Sequence, residues 1–506
     1  MNRLAQRFIS AVRWNLAVSV ATVGVQFLIT AVVARLLSPS DFGLFAIANV
    51  VFVIAAKLGA VGLISAIVRE PVLDQEVIGS AVSLSSCVAA VLTAVVIFVV
   101  APLARLASGA AEIATLQGLL QLISLAILIS GLGVPAQAIL QRELRFRELG
   151  LVHLAALVLG TGASTIVLSL LGEGPRSLAY GCIAYVTIES AGCWWRLGER
   201  WSISWHGANI LRIGLVSIQM SLLRLLDGLW TQIPLIIANT QLSSFKVGLY
   251  QRAQSLVETG IQATSGRVSS VIFPVMALRQ DHDEFLREVM PPLIGAYCLF
   301  LLPVTVFVGV MAQDIVALML GPGWHDATNP LIFIMIAYAI IMISEPAGSQ
   351  LEARAVFRAR ILSAGFGVVG LALLSLVLVG KYGLSGIAVA AVVSGACMAT
   401  INVVAIATHL RISPCNIIAW VLPAVGITGI LIVALIVCSL LIGDRVGSPA
   451  LRLVIIGSIA VALIASGFRL FISRTKRQMF SNYVFPEMSR PVISIGRIFG
   501  LPASSA

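Results

Sequence analysis

The sequence predicts an all-α protein that crosses a membrane many times. Of its 506 residues, 59% are hydrophobic and only 11% are charged, whereas a soluble domain carries about 25% charged residues. Apolar runs of about 20 residues, the length that crosses ~30 Å of hydrocarbon, recur from end to end. These runs are continuous, so they do not fit the alternating strands of a membrane β-barrel.

The apolar runs predict about fourteen transmembrane helices, with ends placed to within several residues. The predicted spans are 14–35, 41–66, 77–103, 114–139, 150–172, 178–198, 215–240, 247–276, 288–312, 328–350, 360–380, 384–408, 416–442 and 450–472.

The basic residues predict the orientation of these spans. With the N-terminus in the cytoplasm, 22 of the 33 Lys and Arg residues lie in cytoplasmic connections or termini, among them Arg360 in the loop that leads into span 11. Another 7 lie outside and 4 lie within spans. This bias follows the positive-inside rule and places both termini in the cytoplasm. Residues 1–13 lack a signal-peptide cleavage site and are expected to remain as a cytoplasmic tail. The net charge of +11 is explained by these loops, so no nucleic-acid partner is expected.

The turn between spans 1 and 2 carries a distinctive motif, ARLLSPSDFGLFAIA at residues 34–48. Ser38 is predicted to cap span 2, with Pro39 at the first helical position and Asp41 three residues after the cap. This arrangement is a capping box, in which the two side chains bind each other's backbone N–H groups. We therefore expect a sharp, fixed reversal between the first two helices.

The motif recurs 205 residues later, where Ser243 and Gly248 take the places of Ser38 and Gly43. Further pairs at offsets of 205 or 211 residues are Gln141 and Glu352, Phe146 and Phe357, Arg147 and Arg358, and Gly181 and Gly386. Six spans separate the two motifs, so the copies should share one orientation, related by an axis along the membrane normal.

This repeat divides the chain into predicted domains. They are an N-terminal six-helix bundle (1–197), an amphipathic cytoplasmic linker (198–214), a C-terminal six-helix bundle (215–412), two extra transmembrane helices (413–472) and a basic cytoplasmic tail (473–506). The two six-helix bundles are expected to be parallel repeats of each other.

Four stretches resemble the bacterial polysaccharide-transporter family, which is similar to O-antigen and exopolysaccharide flippases of the multidrug/oligosaccharidyl-lipid/polysaccharide superfamily. They are ARLLSPSDFGLF (34–45), QRELRFR (141–147), LGPGW (320–324) and GLSGIA (383–388). The resemblance implies a multi-pass protein of the bacterial inner membrane that works by alternating access. It also implies that the two parallel-repeat six-helix bundles face each other across a central cavity. The implied cargo is a polyprenyl-diphosphate-linked oligosaccharide, flipped to the periplasmic leaflet for exopolysaccharide or lipopolysaccharide biosynthesis. Membrane lipids and a polysaccharide polymerase or export complex are the implied partners.

Four cations lie within predicted spans, namely Lys57, Arg224, Arg252 and Arg267. A charge at mid-membrane costs at least ~2.5–3.5 kcal/mol, so such residues usually face a bundle interior or a water-filled cavity. In a central cavity they would bind the cargo's anionic diphosphate or acidic sugars. The alternatives are that Arg224 pairs with Asp227, and that the other three extend to a membrane surface.

Acidic residues within the spans are candidates for coupling transport to an ion. Asp227, Glu258 and Glu345 could carry a proton or sodium ion, as could Glu189. The alternative for each is a carboxyl that is protonated or hydrogen-bonded inside its bundle.

The sequence predicts neither an enzyme nor a cofactor or metal site. The five histidines are scattered, the seven cysteines lie almost all in apolar runs, and neither a P-loop nor a nucleophile elbow occurs. The competing functions are a multidrug or cation antiporter of the same superfamily, a membrane scaffold and a membrane glycosyltransferase. An antiporter should depend on acidic groups, a scaffold has no need of cations within the membrane, and a glycosyltransferase should carry paired carboxylates in an external loop.

Overall fold

A computed structural model describes residues 2–70, 74–103, 110–198, 202, 204–278, 283–354, 356–443 and 448–475. The first half of the chain forms helices α1 (Asn2–Leu36), α2 (Pro39–Ala56), α3 (Gly62–Arg69), α4 (Gln75–Val95), α5 (Ala101–Leu103), α6 (Ala110–Arg142), α7 (Phe146–Ala155), α8 (Thr165–Leu170) and α9 (Pro175–Leu197). The second half forms α10 (Gly207–Gln241), α11 (Ser244–Leu278), α12 (Asp283–Val310), α13 (Ala312–Met319), α14 (Thr328–Ala353) and α15 (Phe357–His409), followed by α16 (Pro414–Gly443) and α17 (Pro449–Thr475).

Three π-helical segments join helices of the first half into longer rods. They are Lys57–Val61 between α2 and α3, Val96–Val100 between α4 and α5, and Ala156–Ser164 between α7 and α8. A π turn inserts an extra residue and re-aims the side chains beside it, and such turns are frequent at functional sites. The first of these segments begins at one of the predicted cavity cations.

Ten stretches of described helix are long and apolar enough to cross a membrane. The longest, Arg358–His409, bends at Gly383, where φ is 57° and ψ is −134°. Glycine adopts this backbone conformation readily because it has no Cβ. The bend divides α15 into rods 357–382 and 384–409, each about 39 Å long at 1.5 Å per residue. The protein is a multi-pass helical membrane protein, as predicted, while the count of fourteen spans stays a prediction.

The predicted capping box between α1 and α2 is confirmed. The Asp41 backbone N–H donates to Ser38 Oγ at 3.3 Å, and the Ser38 backbone N–H donates to Asp41 Oδ2 at 2.9 Å. Pro39 occupies the first position of α2. These bonds satisfy two backbone donors at the turn, and a cap of this kind is worth about 1 kcal/mol.

The connection between the halves is shorter than the sequence predicts, because residues 207–214 form the first turns of α10. The remaining connection lies against the start of α4. Ser202 Oγ donates to the Gln75 carbonyl at 2.9 Å. Ser204 lies close to Gly79, because a Cβ added to Gly79 would lie 2.7 Å from the Ser204 Cβ. The connection is therefore docked on the first half.

The two halves meet along α2, α3, α10 and α11. α2 packs against α11, and α10 packs against α2, α3 and the π segment between them. One hydrophobic cluster combines residues of both halves, including Phe42 and Val50 with Tyr250, Trp324 and Ile387. α16 and α17 pack on α12, away from this interface. We call the side of the molecule that contains the turns 37–38 and 242–243 and the loop 320–327 the Ser38 end.

The closest approach of the halves lies at the Ser38 end, where α2 crosses α11. A Cβ on Gly43 would lie 1.8 Å from the Ser244 carbonyl oxygen, and a Cβ on Gly248 would lie 1.8 Å from the Pro39 carbonyl oxygen. Gly43 and Gly248 occupy the same position in the two sequence motifs, as do Pro39 and Ser244. The contact is thus reciprocal, and only glycine fits at either position.

Candidate functional site

Lys57 lies at the boundary between the halves. It opens the π segment Lys57–Val61, and its aliphatic stem runs over α10. A Cβ on Gly228 would lie 2.2 Å from Lys57 Cδ and 2.6 Å from Cε. The glycine therefore makes room for the lysine stem. The side chain crosses from the first half onto the second, beside the residue that precedes Gly228 in the chain, Asp227.

Asp227 is bound by a buried arginine that the sequence analysis assigned to a cytoplasmic loop. The Arg360 side chain is only 4% exposed. Its Nη2 donates to Asp227 Oδ1 at 2.9 Å, and its Nε donates to Glu352 Oε1 at 3.0 Å. Glu345 lies within electrostatic range of the same guanidinium. One arginine thus connects α10, α14 and α15 through the Arg360 cluster, which comprises Asp227, Glu345, Glu352 and Arg360.

This cluster corrects the prediction for Arg360 and supplies a partner that the sequence did not. The expected partner of Asp227 was Arg224, whose side chain lies outside the described part of the structure. Arg360 was assigned to a loop because it lies only three residues into α15. A carboxylate within a membrane span needs a cation or hydrogen bonds. Glu345 lies in a span that contains no basic residue, which was the signal that could have identified a cation from a neighbouring helix.

Glu258 lies in a second polar group, formed between α10, α11 and α14. It accepts hydrogen bonds from Tyr338 Oη and from Gln254 Nε2, the latter at 2.9 Å. Gln254 Nε2 also donates to the Thr231 carbonyl at 3.0 Å. Among the described atoms, the buried amide oxygens of Gln254 and Gln232 have no hydrogen-bond partner. A carboxylate beside such amide oxygens can accept hydroxyl donors or contact a cation.

Arg252 connects the halves at the Ser38 end. Its guanidinium lies over the ring of Phe42, 4.0 Å from the centroid, and its Nε donates to Gln251 Oε1 at 2.8 Å. Phe42 is fully buried and packs edge-on against Trp324 at 5.4 Å. Trp324 Nε1 in turn donates to the Ala34 carbonyl at 3.1 Å. Arg252 therefore contributes a cation–π contact to the closed Ser38 end.

The predicted residues are distributed over these three places. Lys57 lies against α10 at Gly228, one residue after Asp227 in the chain. Asp227 and Glu345 both lie near Arg360, Glu258 has its own group, and Arg252 lies at the Ser38 end. Arg267 belongs to α11, but its side chain lies outside the described part of the structure.

A further polar cluster lies within the first half, between α7 and α9. His153 Nδ1 is 3.1 Å from Glu189 Oε1 and 2.8 Å from Tyr185 Oη, and Tyr185 Oη donates to Glu189 Oε1 at 3.0 Å. The sequence marks Glu189 as a candidate proton or sodium carrier, but it predicts no partner for His153. Tyr185 and Glu189 are one turn apart on α9, which was the available signal. The approach of His153 depends on packing between helices.

A small, partly open pocket lies in the first half, between α2, α4 and α6. Its walls are mainly apolar or small side chains, including Phe52, Ala89 and Leu92, with Ser85 and Ser130. The predicted cations and acids do not line it. Its position beside the π segment means that it is distinct from the cavity predicted between the bundles.

Comparison with known proteins places the chain among proteins of envelope polysaccharide synthesis. The model of the family described as polysaccharide biosynthesis protein matches residues 32–329. The lipopolysaccharide biosynthesis protein WzxC of Escherichia coli (strain K12) is 22% identical over 364 residues, covering 70% of this chain and 71% of WzxC. The succinoglycan biosynthesis transport protein ExoT of Rhizobium meliloti (strain 1021) is 26% identical over 333 residues, covering 65% of this chain and 66% of ExoT.

A solved structure extends the likeness to nearly the whole fold. The lipid II flippase MurJ in an inward closed conformation covers 92% of this chain and 99% of its own chain, with a TM-score of 0.72 and 12% sequence identity. At that identity the likeness shows the fold alone. The family model, in contrast, matches more than half of the sequence. The chain belongs to the polysaccharide biosynthesis protein family.

Proposed function

We propose that this protein is a flippase. It moves a polyprenyl-diphosphate-linked oligosaccharide from the cytoplasmic to the periplasmic leaflet, for exopolysaccharide or lipopolysaccharide biosynthesis. The cargo crosses without chemical change, and a polysaccharide polymerase or export complex receives it. WzxC and ExoT, whose names refer to lipopolysaccharide biosynthesis and succinoglycan transport, support this class of cargo.

The observation that carries the proposal is the position of charged residues at the boundary between the halves. The stem of Lys57 of the first half lies on α10 of the second at Gly228, and α10 also carries Asp227, which pairs with the buried Arg360. A lipid-linked diphosphate loses its hydration when it enters a membrane protein, and cations at the entry offset that loss. Separation of α2–α3 from α10 would uncover Lys57 for this purpose, and we assign Arg224, Arg252 and Arg267 to the same path.

We propose that two six-helix bundles, 1–197 and 215–412, move relative to each other in alternating access. The reciprocal contact of Gly43 and Gly248 supports a parallel repeat, and the bend at Gly383 supports the separation of spans 11 and 12. The complete arrangement would have fourteen spans, including two extra helices in 413–472. The linker 198–214 and the tail 473–506 would lie in the cytoplasm.

We infer that the Ser38 end faces the periplasm and that both termini are cytoplasmic, in the bacterial inner membrane. The basic side chains at the opposite end support this orientation. Arg145 there donates to the Arg196 carbonyl at 2.8 Å, and Arg287 donates to the Leu410 carbonyl at 2.6 Å. The positive-inside rule predicts such clustering on the cytoplasmic side.

We assign possible ion coupling in the second half to Asp227, Glu258 and Glu345. Movement of α10 relative to α14 and α15 would separate Asp227 from Arg360, and the exposed carboxylate could then exchange a cation with water. Glu258 offers a carboxylate beside two buried amide oxygens that have no partner among the described atoms. A pathway of this kind would explain how flipping proceeds without an ATPase in the chain.

The test uses purified protein in liposomes that contain a polyprenyl diphosphate bearing a fluorescent oligosaccharide. Loss of signal to an added quencher reports crossing. We expect Lys57→Gln to slow crossing at least tenfold, because one charge contact to the diphosphate is worth about 1.5–3 kcal/mol. Lys246→Gln is the matched control, since it removes an equal charge from an exposed position at the Ser38 end.

The outcome separates the candidate functions. Unchanged crossing when Lys57, Arg224, Arg252 and Arg267 are all replaced by glutamine would overturn the cation path. Efflux of small organic cations by a protein that does not flip the lipid would favour the multidrug antiporter. Crossing that depends on Lys57 but not on Lys246 supports the flippase.

A further inference from the structure

The His153 cluster, which comprises His153, Tyr185 and Glu189, is a compact group of titratable atoms that the cargo path does not use. The three atoms Nδ1, Oη and Oε1 lie within 2.8–3.1 Å of one another. The His153 and Tyr185 rings also meet edge to face, with centroids 5.7 Å apart. The two helices that carry these groups are therefore joined by polar contacts within the membrane-spanning part of the first half.

The charge on this cluster depends on one proton. With a neutral imidazole and an ionised Glu189, the cluster carries one negative charge, which is costly in a low-dielectric environment. Binding a proton forms either a new N–H bond on the imidazole, which pairs with the carboxylate, or an O–H bond on Glu189. Either product is neutral overall. The proton is released when water or a conformational change stabilises the charged form.

The exposure of the two groups suggests how a proton reaches the cluster. The His153 side chain is 40% exposed, whereas that of Glu189 is 16% exposed. His153 lies seven residues into α7, about 10 Å along the helix axis, and Glu189 lies eight residues before the end of α9, about 12 Å. An ionisable side chain at this depth usually faces a bundle interior or a water-filled path, so the imidazole is the group on which the proton enters.

Close packing fixes the cluster between its helices. A Cβ on Gly160 would lie 2.4 Å from the Tyr185 backbone nitrogen, and a Cβ on Gly192 would lie 2.7 Å from Val152 Cγ1. Because these contacts leave little freedom, a change in the cluster's hydrogen bonds acts directly on the α7–α9 pair. α7 also packs on α1, which packs on α11 of the second half.

The surrounding charges leave His153 and Glu189 as the pair that exchanges the proton. Cys182 and Cys193 also lie on α9. On the helices packed against α7 and α9, the other charged side chains that the structure describes lie at helix ends, namely Arg147 and Glu148 on α7, Arg176 and Arg196 on α9, Arg142 on α6, Arg35 on α1 and Asp41 on α2. Glu148 is itself bound by Arg145 at 2.6 Å.

We propose that His153, Tyr185 and Glu189 form a proton-binding site in the first half, and that the proton bound there is coupled to flipping in addition to any cation exchanged by the carboxylates of the second half. His153 and Glu189 hold the proton, while Tyr185 is a positioning residue that orients both. The proposed coupling of this proton to flipping rests on the proposed function, whereas the proposed binding of the proton does not.

The first experiment measures proton binding without any cargo. Infrared spectra of the purified protein in lipid nanodiscs are recorded from about pH 5 to pH 8, the range in which histidine titrates. We expect a carboxyl or imidazole signal that titrates in the wild type, disappears in Glu189→Gln and persists in Tyr185→Phe with a displaced midpoint. Glu173→Gln, an exposed carboxylate at the other end of the α7–α9 hairpin, is the matched control.

His153→Gln keeps the test decisive if Glu189→Gln fails to fold, because it removes the other proton carrier. A difference spectrum that is identical in wild type, Glu189→Gln and His153→Gln would overturn the site. The cluster would then be a structural hydrogen-bond group.

The second experiment measures coupling in the liposome flipping assay. Exchange of one proton per cargo predicts about a tenfold change in the final distribution of the probe per pH unit of gradient, with no response in Glu189→Gln. If flipping by the wild type does not respond to the pH gradient, the proposed coupling is wrong. A wild type that flips no probe under any gradient would contradict the flippase, while the infrared result would still decide the proton site.

Discussion

The two halves of the molecule make reciprocal contacts at the Ser38 end, but their polar clusters within the membrane differ. Gly43 and Gly248 make the same contact in opposite directions. The polar clusters, in contrast, do not correspond. The repeat offset of 211 residues aligns Arg360 with Leu149, and the offset of 205 aligns Glu189 with Ser394. Each half therefore carries its buried charge at positions where the other half is uncharged.

This difference shows which parts of a duplicated fold are constrained by geometry. The helix crossing requires glycine in both copies, because a Cβ on either would meet a backbone oxygen that cannot move aside independently. Inside each bundle only packing has to be preserved, so polar residues can differ. In the first half we propose a group that changes its charge by one proton, whereas in the second half Asp227 and Glu352 are each paired with Arg360.

The largest expected effect on flipping comes from breaking the shared contact. In both Gly43→Ala and Gly248→Ala the new Cβ would lie 1.8 Å from a backbone oxygen. We expect the apparent melting temperature to fall by several degrees and flipping to be lost, because overpacking costs about 1–3 kcal/mol and the halves can no longer close. Gly24→Ala is the control, since its Cβ would have no neighbour within 4 Å. Equal stability of all three variants would contradict the crossing.

The next prediction tests the ion pairs that Arg360 makes in the second half. Arg360→Gln removes the cation from two carboxylates, and breaking a buried pair in this way costs about 3–5 kcal/mol. Thermal unfolding in detergent should show a large loss of stability. Arg360→Lys should recover only part of it, because lysine lacks the fork that binds two carboxylates. Arg358→Gln, at an exposed position two residues earlier, should be nearly neutral, and a similar loss there would argue against the cluster.

The sequence predicts these features unequally, for physical reasons. Membrane helices follow from hydropathy, and the Ser38 cap follows from residues three positions apart, so both were predicted. The partner of a buried charge depends on helix rotation and packing. For that reason Arg360 was assigned to a loop, and His153 was not connected with Glu189, 36 residues away. Residue type and depth identified Lys57, Asp227 and Glu258 as charged residues within membrane spans, but only the structure shows what each one touches.

A smaller loss of stability is expected at Glu258, where two variants test whether the carboxylate only accepts hydrogen bonds or also couples an ion. Tyr338→Phe removes one donor to the carboxylate, and a hydrogen bond contributes about 0.5–1.5 kcal/mol net, more when one partner is charged. We expect a modest loss of stability with flipping retained. Glu258→Gln keeps the shape of the side chain but removes its charge, so a loss of cation-dependent flipping in this variant alone would assign coupling to Glu258. If both variants lose flipping equally, the group is structural.

The smallest expected loss of stability is that of N-cap variants in the two turns of the repeat. Ser38→Ala breaks a closed capping box and should cost about 1 kcal/mol, the usual value of an N-cap. Ser243→Ala should cost less, because Lys246 stands where the first turn has Asp41 and an ammonium cannot accept a backbone N–H. Asp41→Lys should make the first turn resemble the second, so that a further Ser38→Ala change adds less than it does alone. Paired melting curves of the single and double variants measure this coupling. Additive losses would show that Ser38 and Asp41 act independently, and the two turns would then differ in charge without differing in cap strength.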